Sequence, residues 1–255
     1  MNIQIKTTEQ VAYLRHAGQI VGSILADLQR LVAPGVRPID LDQYAKKMIK
    51  ERGGEPAFLG YEGFPATLCI SVNDAVVHGI PSEKPLLAGD LVGFDAGAIV
   101  NGWYADGAIT LALEPISSAT HQLLEVTTRA LTAGISRARA GAHLGDIQAA
   151  IQAVIEEAKL GIIRDLTGHG IGRDLHEDPQ IPNYGRSGTG PLLKAGMVIC
   201  LEPMVTLGKP DVFVDSDHWT IRTRDGSLGA QVEHTVLITE DEAEILTPIR
   251  PWPTV

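Results

Sequence analysis

Five side chains of types that bind metal ions lie in short apolar or glycine-rich segments, far apart along the chain. Four are carboxylates and one is an imidazole: Asp95, Asp106, His169, Glu202 and Glu233. Aspartate and glutamate are almost never fully buried unless they are paired or bound to a metal ion. Ligands of these types and this number suit two divalent cations that share bridging carboxylates. The sequence therefore predicts a site for two metal ions.

The first two carboxylates lie in the clearest β-hairpin signal of the sequence. Asn101-Gly102 is a strong signal for a two-residue turn. If the flanking residues pair across this turn, Asp95 lies opposite Ala108 and shares a sheet face with Asp106. Spacing alone leaves open an exposed pair at a sheet edge. Because adjacent like charges repel, a cation between them is the favoured interpretation. The predicted strands cover residues 91–100 and 103–111.

The other two carboxylates lie in segments whose composition predicts β-strands. Glu202 is in MVICLEPMV, where a free carboxylate would be costly, although a partnered core glutamate is the alternative. In AQVEHTVLIT, strand alternation places Glu233 on one face with Thr235, and His234 on the opposite face. His234 is therefore interpreted as an ordinary strand histidine and not as a ligand.

Three histidines outside that strand are candidates for the site. GHGIGRDLHEDP contains His169 and His176, and its glycines exclude a helical metalloprotease motif and predict a bent loop. His78 follows a predicted strand in SVNDAVVHGIP. A lone histidine is more often structural than catalytic. Two in one glycine-rich segment, combined with four candidate carboxylates, favour a functional site.

Helices and hairpins alternate in two rounds along the chain. Capping and periodicity predict helices that begin at Thr8, Asp40, Ser117 or Ser118, and Asp146, and end near residues 33, 48, 139 and 158. Further strands are predicted over 66–72, 76–78, 197–205, 219–224 and 230–239, with the last two forming a hairpin through Asp225-Gly226. The repeated order indicates two similar halves, roughly 1–115 and 116–255.

The bulk properties limit the classes of function. The chain has 255 residues, 44% of them hydrophobic, which suits one large domain or two tightly joined halves. A formal net charge of −10 argues against specific binding to nucleic acid. Cys69 and Cys200 lie in apolar runs without CxxC spacing, so buried thiols in a reducing cytoplasm are expected. The N-terminus does not resemble a signal peptide, and no apolar run approaches the ~20 residues that span a bilayer. A soluble, cytoplasmic protein without membrane partners is expected.

The motifs occur in the same order as in the type I methionine aminopeptidases, which the chain resembles from its first helix to about Leu246. They are SVNDAVVHGIP, the hairpin of Asp95 and Asp106, GHGIGRDLHEDP, LEPMV and AQVEHT. The resemblance implies an α+β pita-bread fold, in which two pseudo-symmetric halves pack helices on a curved antiparallel sheet. It implies a single catalytic domain over residues 1–255 with two divalent ions (Co, Mn, Fe or Zn). The implied reaction removes initiator methionine from peptide and nascent-chain N-termini, with a small second residue preferred.

The resemblance also implies a role for each site residue. Asp95 ligates one metal ion and His169 the other, Asp106 and Glu233 bridge them, and Glu202 ligates the His169 ion and transfers protons. A hydroxide bridging the ions is expected to attack the scissile carbonyl. The resemblance further implies substrate contacts at two histidines and a methionine pocket with four walls. These residues are His78 and His176, and Tyr61, Phe64, Cys69 and Trp219.

Three positions depart from the family pattern. Gly93 replaces a more usual asparagine, Gly107 a small hydroxyl residue and Leu175 an aromatic residue. The candidate ligands are intact, so these departures concern the surroundings of the metal site and the shape of the pocket.

Two alternatives and several partners follow from the same motifs. A pita-bread peptidase that cleaves Xaa-Pro bonds would share the ligands, but SVNDAVVHGIP and the compact length favour the methionine enzyme. A metal-free pita-bread protein that binds partners or RNA is disfavoured by the intact ligands and the acidic charge. A monomer is expected, and transient association with the ribosome is left open.

Overall fold

The computed structural model describes residues 3–250 of the chain. Its α-helices within that range are Thr8–Leu31 (α1), Pro38–Glu51 (α2), Ser118–Ile135 (α3) and Leu144–Glu157 (α4), with a 3₁₀ turn at Tyr61–Gly63. Its strands are Glu55–Pro56 (β1), Leu68–Val72 (β2), Ala75–Val77 (β3), Leu91–Val100 (β4), Trp103–Ala112 (β5), Gly161–Ile162 (β6), Thr167–Gly170 (β7), Glu177–Pro182 (β8), Val198–Leu201 (β9), Met204–Thr206 (β10), Val212–Val214 (β11), Ile221–Thr223 (β12), Gly229–Gln231 (β13), Glu233–Leu237 (β14) and Glu244–Ile245 (β15).

The helix ends differ slightly from those predicted. Thr7, and not Thr8, caps α1: its hydroxyl accepts the N–H of Gln10 at 3.3 Å, and the Gln10 side chain accepts the N–H of Thr7. The helix α2 begins at Pro38, a residue whose missing N–H is harmless in a first turn. Among the described residues, no helix is long and apolar enough to cross a membrane.

The central sheet joins strands from both parts of the chain. Its order is β1-β4-β5-β14-β9-β7-β8, β2 also pairs with β4 and β15 with β14, and every pair is antiparallel. The pair β5 and β14 is therefore the seam between a sheet half contributed early in the sequence and a half contributed late.

The predicted register of the first hairpin is confirmed. Val100 pairs with Trp103, and Asp95 pairs with Ala108. Asn101 and Gly102 have φ angles of 55° and 75°, the left-handed pair that a type I′ turn requires.

The second predicted hairpin, between residues 219–224 and 230–239, is wrong. The strand β12 pairs with β11 and β3 in a separate three-stranded sheet, whereas β13 pairs with β10, and β14 pairs with β5 and β9. The Asp225-Gly226 signal reports a local change of direction, but it carries no information about which strand becomes the partner. GHGIGRDLHEDP also differs from the predicted loop, because its two ends form the paired strands β7 and β8.

Helices cover one face of the sheet and leave the other face for the site. Alternate residues of β4 pack into the apolar cluster that contains the inner faces of α1 and α2. They are Val92, Phe94, Ala96 and Ala98. A second cluster packs α3 and α4 against β9 and β14. Because side chains alternate along a strand, Asp95 faces away from the helices.

Candidate metal centre and substrate pocket

One candidate ligand comes from each of five neighbouring strands. Across the sheet, in the order β4, β5, β14, β9 and β7, they are Asp95, Asp106, Glu233, Glu202 and His169. Glu202 lies one residue beyond the end of β9. Adjacent strands are about 4.8 Å apart, so side chains from successive strands reach a common centre. The structure therefore brings together all five residues that the sequence singled out.

Four of these residues form what we call the acidic centre: Asp95, Asp106, Glu202 and Glu233. Asp95 and Glu233 both pair with the small residue Ala108, one from each side. Carboxylate oxygens of Asp95, Asp106 and Glu233 lie within 4.8 Å of one another. Glu233 is only 1% exposed, so water does not compensate for the mutual repulsion of the group.

The pKa values of all four carboxyl groups in the acidic centre are raised, mainly by burial. Burial, with the neighbouring Asp106, raises the pKa of Asp95 and of Glu202 well above its usual value. The pKa of Glu233 is also raised well above its usual value, first by burial and then by Asp106 and Glu202. Burial raises the pKa of Asp106 to about 7. Coulombic effects from neighbouring carboxyl groups reinforce burial at Asp95, Glu202 and Glu233.

The acidic centre fits divalent cations. Asp95 Oδ1 and Glu233 Oε1 are buried oxygens with no hydrogen-bond partner among the described residues. Buried oxygens without partners cost free energy, and a cation would supply the missing interaction for both. Carboxylate oxygens together with one imidazole form a donor set that Mn, Fe, Co and Zn all accept.

His169 is oriented as metal-binding histidines usually are. Its Nδ1 lies 2.9 Å from the carbonyl oxygen of Gly170, and its Nε2 lies 3.6 Å from Glu202 Oε1. Burial lowers the pKa of His169 to about 3, so the ring is neutral near pH 7. A neutral imidazole whose Nδ1–H donates to a backbone carbonyl keeps its Nε2 lone pair available for a cation.

Several polar residues that the sequence motifs do not single out hold the acidic centre in place. Gln231 Nε2 donates to Glu202 Oε2 at 3.1 Å, and Asn183 Nδ2 donates to the Glu202 carbonyl at 3.0 Å. Thr235 Oγ1 donates to the Asp106 carbonyl at 2.7 Å and accepts its N–H at 3.0 Å. Strand alternation around Glu233 could have indicated Gln231 and Thr235, but Asn183 lies in a segment that reads as a loop.

A small apolar pocket opens directly onto the acidic centre. Its volume is about 110 Å³. The rings of Phe64 and Trp219 meet edge to face with centroids 5.1 Å apart. The polar end of the pocket is formed by Asp95, Asp106, His78 and His176, and its walls are Phe58, Tyr61, Glu62, Phe64, Cys69, Leu175 and Trp219. The structure thus places all four predicted wall residues together.

The two remaining histidines lie beside this pocket and are neutral near pH 7. Burial, together with His176, lowers the pKa of His78 to about 4, and burial lowers the pKa of His176. His78 adopts a left-handed φ of 57°, which is uncommon for a residue with a side chain and typical of functional sites. His176 Nδ1 lies 2.9 Å from the hydroxyl of Tyr61, and its ring contacts that of His169 at 4.5 Å.

A buried ion pair fixes the turn that carries His176. The neighbouring Glu177 accepts a hydrogen bond from Lys6 Nζ at 2.6 Å and another from the N–H of Arg173 at 2.7 Å. The guanidinium of Arg173 lies 4.6 Å from the ring centroid of Trp103, at the tip of the β4–β5 hairpin. The turn is therefore tied to the same hairpin that carries the first two carboxylates.

His234 lies away from the acidic centre. Its Nδ1 is 3.0 Å from Thr247 Oγ1, and burial lowers its pKa to about 4. The ring is occupied by this contact on the side of the strand opposite to Glu233, as its position in the alternation requires.

Comparison with known proteins identifies the family. The sequence model of metallopeptidase family M24 matches residues 12–240. The chain belongs to metallopeptidase family M24. The methionine aminopeptidase of Clostridium acetobutylicum is 46% identical over 246 residues, which are 96% of this chain and 98% of that relative. Membership of a metallopeptidase family, together with the clustered ligands, implies that divalent metal ions bind here.

Solved structures of family members share the fold. Methionine aminopeptidase from Thermotoga maritima superimposes with a TM-score of 0.95 at 42% identity and covers 96% of this chain and 99% of that chain. Prolidase from Pyrococcus furiosus gives a TM-score of 0.78 at 27% identity, with 95% of this chain and 65% of that chain covered. The resemblance and the α+β pita-bread fold predicted from the sequence are both confirmed.

Two of the departures from the family pattern have different surroundings. A Cβ added at Gly107 would lie 3.2 Å from Val21 of α1, so a hydroxyl residue here would push against the helix. A Cβ added at Gly93 would have ordinary contacts of 3.6 Å with Ser71 and Thr110. The backbone N–H of Gly107 donates to Asp106 Oδ1 at 2.8 Å, so glycine at this position still supports that carboxylate.

Proposed function

We propose that this chain removes the N-terminal methionine from peptides and newly made proteins. The observation that carries the proposal is the small apolar pocket ending at the acidic centre. Whole small-molecule ligands usually occupy roughly 300–1,000 Å³. A cavity of about 110 Å³ instead has room for a single side chain. Aromatic walls suit a thioether, whose sulfur makes favourable contacts with ring edges.

Five residues are proposed to hold two divalent metal ions. Asp95 would hold one ion and His169 with Glu202 the other, while Asp106 and Glu233 would be shared between them. Bound divalent cations supply an activated water at neutral pH and polarise the scissile carbonyl. The donor set admits Co, Mn, Fe or Zn, so cellular availability decides among them.

Glu202 is proposed to move protons between water and the leaving amine. A carboxyl group beside the activated water can accept its proton and return it to the leaving amine, which is the role of a general base and then a general acid. The amide of Gln231 donates to Oε2 and so fixes the orientation of the carboxyl group. Oε1 lies on the other side, 3.6 Å from Nε2 of His169.

His176 is proposed to stabilise the oxyanion that develops on the substrate carbonyl. When the hydroxyl of Tyr61 donates to Nδ1, the ring hydrogen resides on Nε2 and faces the pocket. A neutral donor that is already in place costs no reorganisation as charge develops. His78, at the same polar end of the pocket, is proposed to contact the substrate backbone.

The proposal includes the organisation and setting of the chain. Residues 1–115 and 116–255 are taken as two halves of one catalytic domain, because β5 and β14 join them in a continuous sheet. Peptide and nascent-chain N-termini are the proposed partners, for a monomer in the cytoplasm.

Peptide hydrolysis with defined metals tests the proposal. Chelator-treated protein reloaded with manganese or cobalt should hydrolyse Met-Ala-Ser and leave Ala-Pro intact. Asp106→Asn provides the matched control, since it keeps the pocket but removes a bridging charge. Preferential cleavage of Ala-Pro would instead identify an Xaa-Pro peptidase. Metal-independent behaviour without hydrolysis of either peptide would indicate a binding protein.

A further inference from the structure

A thiol lies among the candidate ligands at the His169 end of the site. Cys200 on β9 pairs with His169 on β7 on one side and with Thr235 on β14 on the other. Cys200 is fully buried, and it is not in a disulfide. Cys200 therefore lies on the strand between the one that carries the imidazole of His169 and the one that carries Glu233.

The thiol of Cys200 lies close enough to two candidate ligands to bind the same cation. One ring nitrogen of His169, Sγ of Cys200 and one carboxylate oxygen of Glu233 all lie within 4.8 Å of one another. Three donors around one cation at bond lengths of about 2.0–2.3 Å are separated by roughly 3–4 Å, so little movement is needed.

A buried oxygen without a partner also lies at this end of the site. Glu233 Oε1 is buried and has no hydrogen-bond partner among residues 3–250. Cys200 Sγ lies 3.4 Å from Thr235 Oγ1, a long and weak interaction, and its thiol also faces the carboxyl group of Glu233 as a hydrogen-bond donor. Both donors therefore remain able to turn towards a cation beside His169.

We propose that Cys200 is a sulfur ligand at the His169 end of the metal centre. Thiolates select soft or borderline cations, so this end prefers zinc, iron or cobalt over manganese. Binding breaks the S–H bond, forms the sulfur–metal bond and releases the proton to solvent. The inference rests on the proposed metal centre, and it is independent of which peptide the enzyme cleaves.

Cobalt absorption tests this inference directly. Chelator-treated full-length protein is titrated with cobalt(II), and the near-ultraviolet sulfur-to-cobalt charge-transfer band is recorded together with the metal content. The band is expected in the unmodified protein, is expected to persist in Cys69→Ser, and is expected to disappear in Cys200→Ser. Cys69 is the matched control because it is a second buried thiol near the pocket.

Metal competition gives a second measure. With zinc and manganese supplied together, Cys200→Ser should lower the preference for zinc at least about tenfold, measured by metal analysis. Stoichiometric cobalt without the band in the unmodified protein would overturn the inference, and this result does not depend on the folding of any variant. Persistence of the band in Cys200→Ser would do the same. Failure to take up any cobalt would instead contradict the proposed metal centre itself.

Discussion

Two groups of buried acidic residues in this molecule have opposite electrostatics. The acidic centre gathers four carboxyl groups whose pKa values are raised. The Asp27 cluster, which consists of Asp27, Ser23, Tyr44, Arg30 and Arg52, lies between α1 and the end of α2 and has one carboxyl group. Burial alone would raise the pKa of Asp27, but hydrogen bonds from Arg52, Tyr44 and Arg30 hold it below its usual value.

Both carboxylate oxygens of Asp27 already have partners within the chain, so a bound ligand is not needed to satisfy them. Arg52 and Arg30 form ion pairs with the two carboxylate oxygens of Asp27, and the hydroxyl of Tyr44 donates to one of them at 3.0 Å. Arg52 also donates to Ser23 Oγ at 2.8 Å. Asp27 is 2% exposed, which lies within the range of 1–9% found for the four residues of the acidic centre.

This comparison distinguishes a buried carboxylate that stabilises the fold from buried carboxylates that form a binding site. The negative charge of Asp27 is neutralised by guanidinium groups of the same chain. The carboxylates of the acidic centre have no such partner among the described residues and need bound cations or protons to neutralise them. Burial by itself therefore does not identify a site. The decisive observation is burial combined with oxygens that lack partners, as at Asp95 and Glu233.

Removal of the proton carrier of the acidic centre should have the largest effect. Glu202→Gln preserves shape and removes the titrating group, so hydrolysis of Met-Ala-Ser should fall by about 10²–10⁴. Steady-state kinetics, with metal content measured in parallel, checks the result. Activity within about tenfold of that of the unmodified protein would contradict the proposed proton-transfer role.

Loss of the internal cation of the Asp27 cluster should cost stability and not chemistry. Arg52→Met leaves Asp27 with the hydroxyl of Tyr44 and with the exposed Arg30 as its one cationic partner, so the free energy of unfolding should fall by about 3–5 kcal/mol. Urea unfolding measures this change. Arg30→Met is the matched control: that side chain is 67% exposed, so its loss should cost about 0–1 kcal/mol. Reduced activity per folded Arg52→Met molecule would mean that the two groups are coupled.

The acidic centre should make the metal-free protein less stable as pH rises, because the pKa values of its carboxyl groups are raised. Between an unfolded pKa of about 3.9 and the folded pKa of Asp106, about 7, the folded state holds more protons than the unfolded chain. The contribution of these carboxyl groups to the free energy of unfolding is therefore greatest below this window and falls through it by up to about 1.4 kcal/mol per pH unit for each group. Burial lowers the pKa values of His78, His169 and His234, so these histidines contribute in the opposite direction below about pH 6.5.

Urea unfolding at pH 5, 6 and 7 with chelator, and again with saturating manganese, measures that slope. The cation should flatten it, because it replaces the protons as the neutralising charge. The same measurement on metal-free Asp106→Asn, which keeps the buried histidines, should give a less negative slope, and an equal slope would contradict the account of the acidic centre. Asp27 contributes in the opposite direction, since its lowered pKa gives stability that is lost only as pH falls.

The smallest effect is expected at a group that belongs to neither cluster. Tyr61→Phe removes the hydroxyl that contacts His176 Nδ1, so kcat/KM should fall by a factor of about 2–10, the value of one hydrogen bond. Metal affinity, measured by calorimetry, should stay the same. A change in metal affinity would show that the substrate side and the acidic centre are not separable.

Local patterns predicted the parts of the fold that short-range geometry controls. The Asn101-Gly102 turn and strand alternation were enough to place Asp95 and Asp106 on one face, as the register confirms. Alternation likewise separated Glu233 from His234. The pairing of β12 was not predictable, because a turn signal describes four residues whereas a strand partner is chosen by long-range packing.

The sequence by itself determined which residue types face the sheet interior and, through the order of its motifs, the family and the set of candidate ligands. Only the tertiary structure decided which buried acidic residues have a cationic partner within the chain and which do not. Asp27 and Asp95 both lie in apolar surroundings, but Arg52 reaches one, whereas three other carboxyl groups surround the other. Only the sheet order brought Cys200 between His169 and Thr235. Electrostatic energy depends on distances in space, and residues that are remote in sequence set those distances.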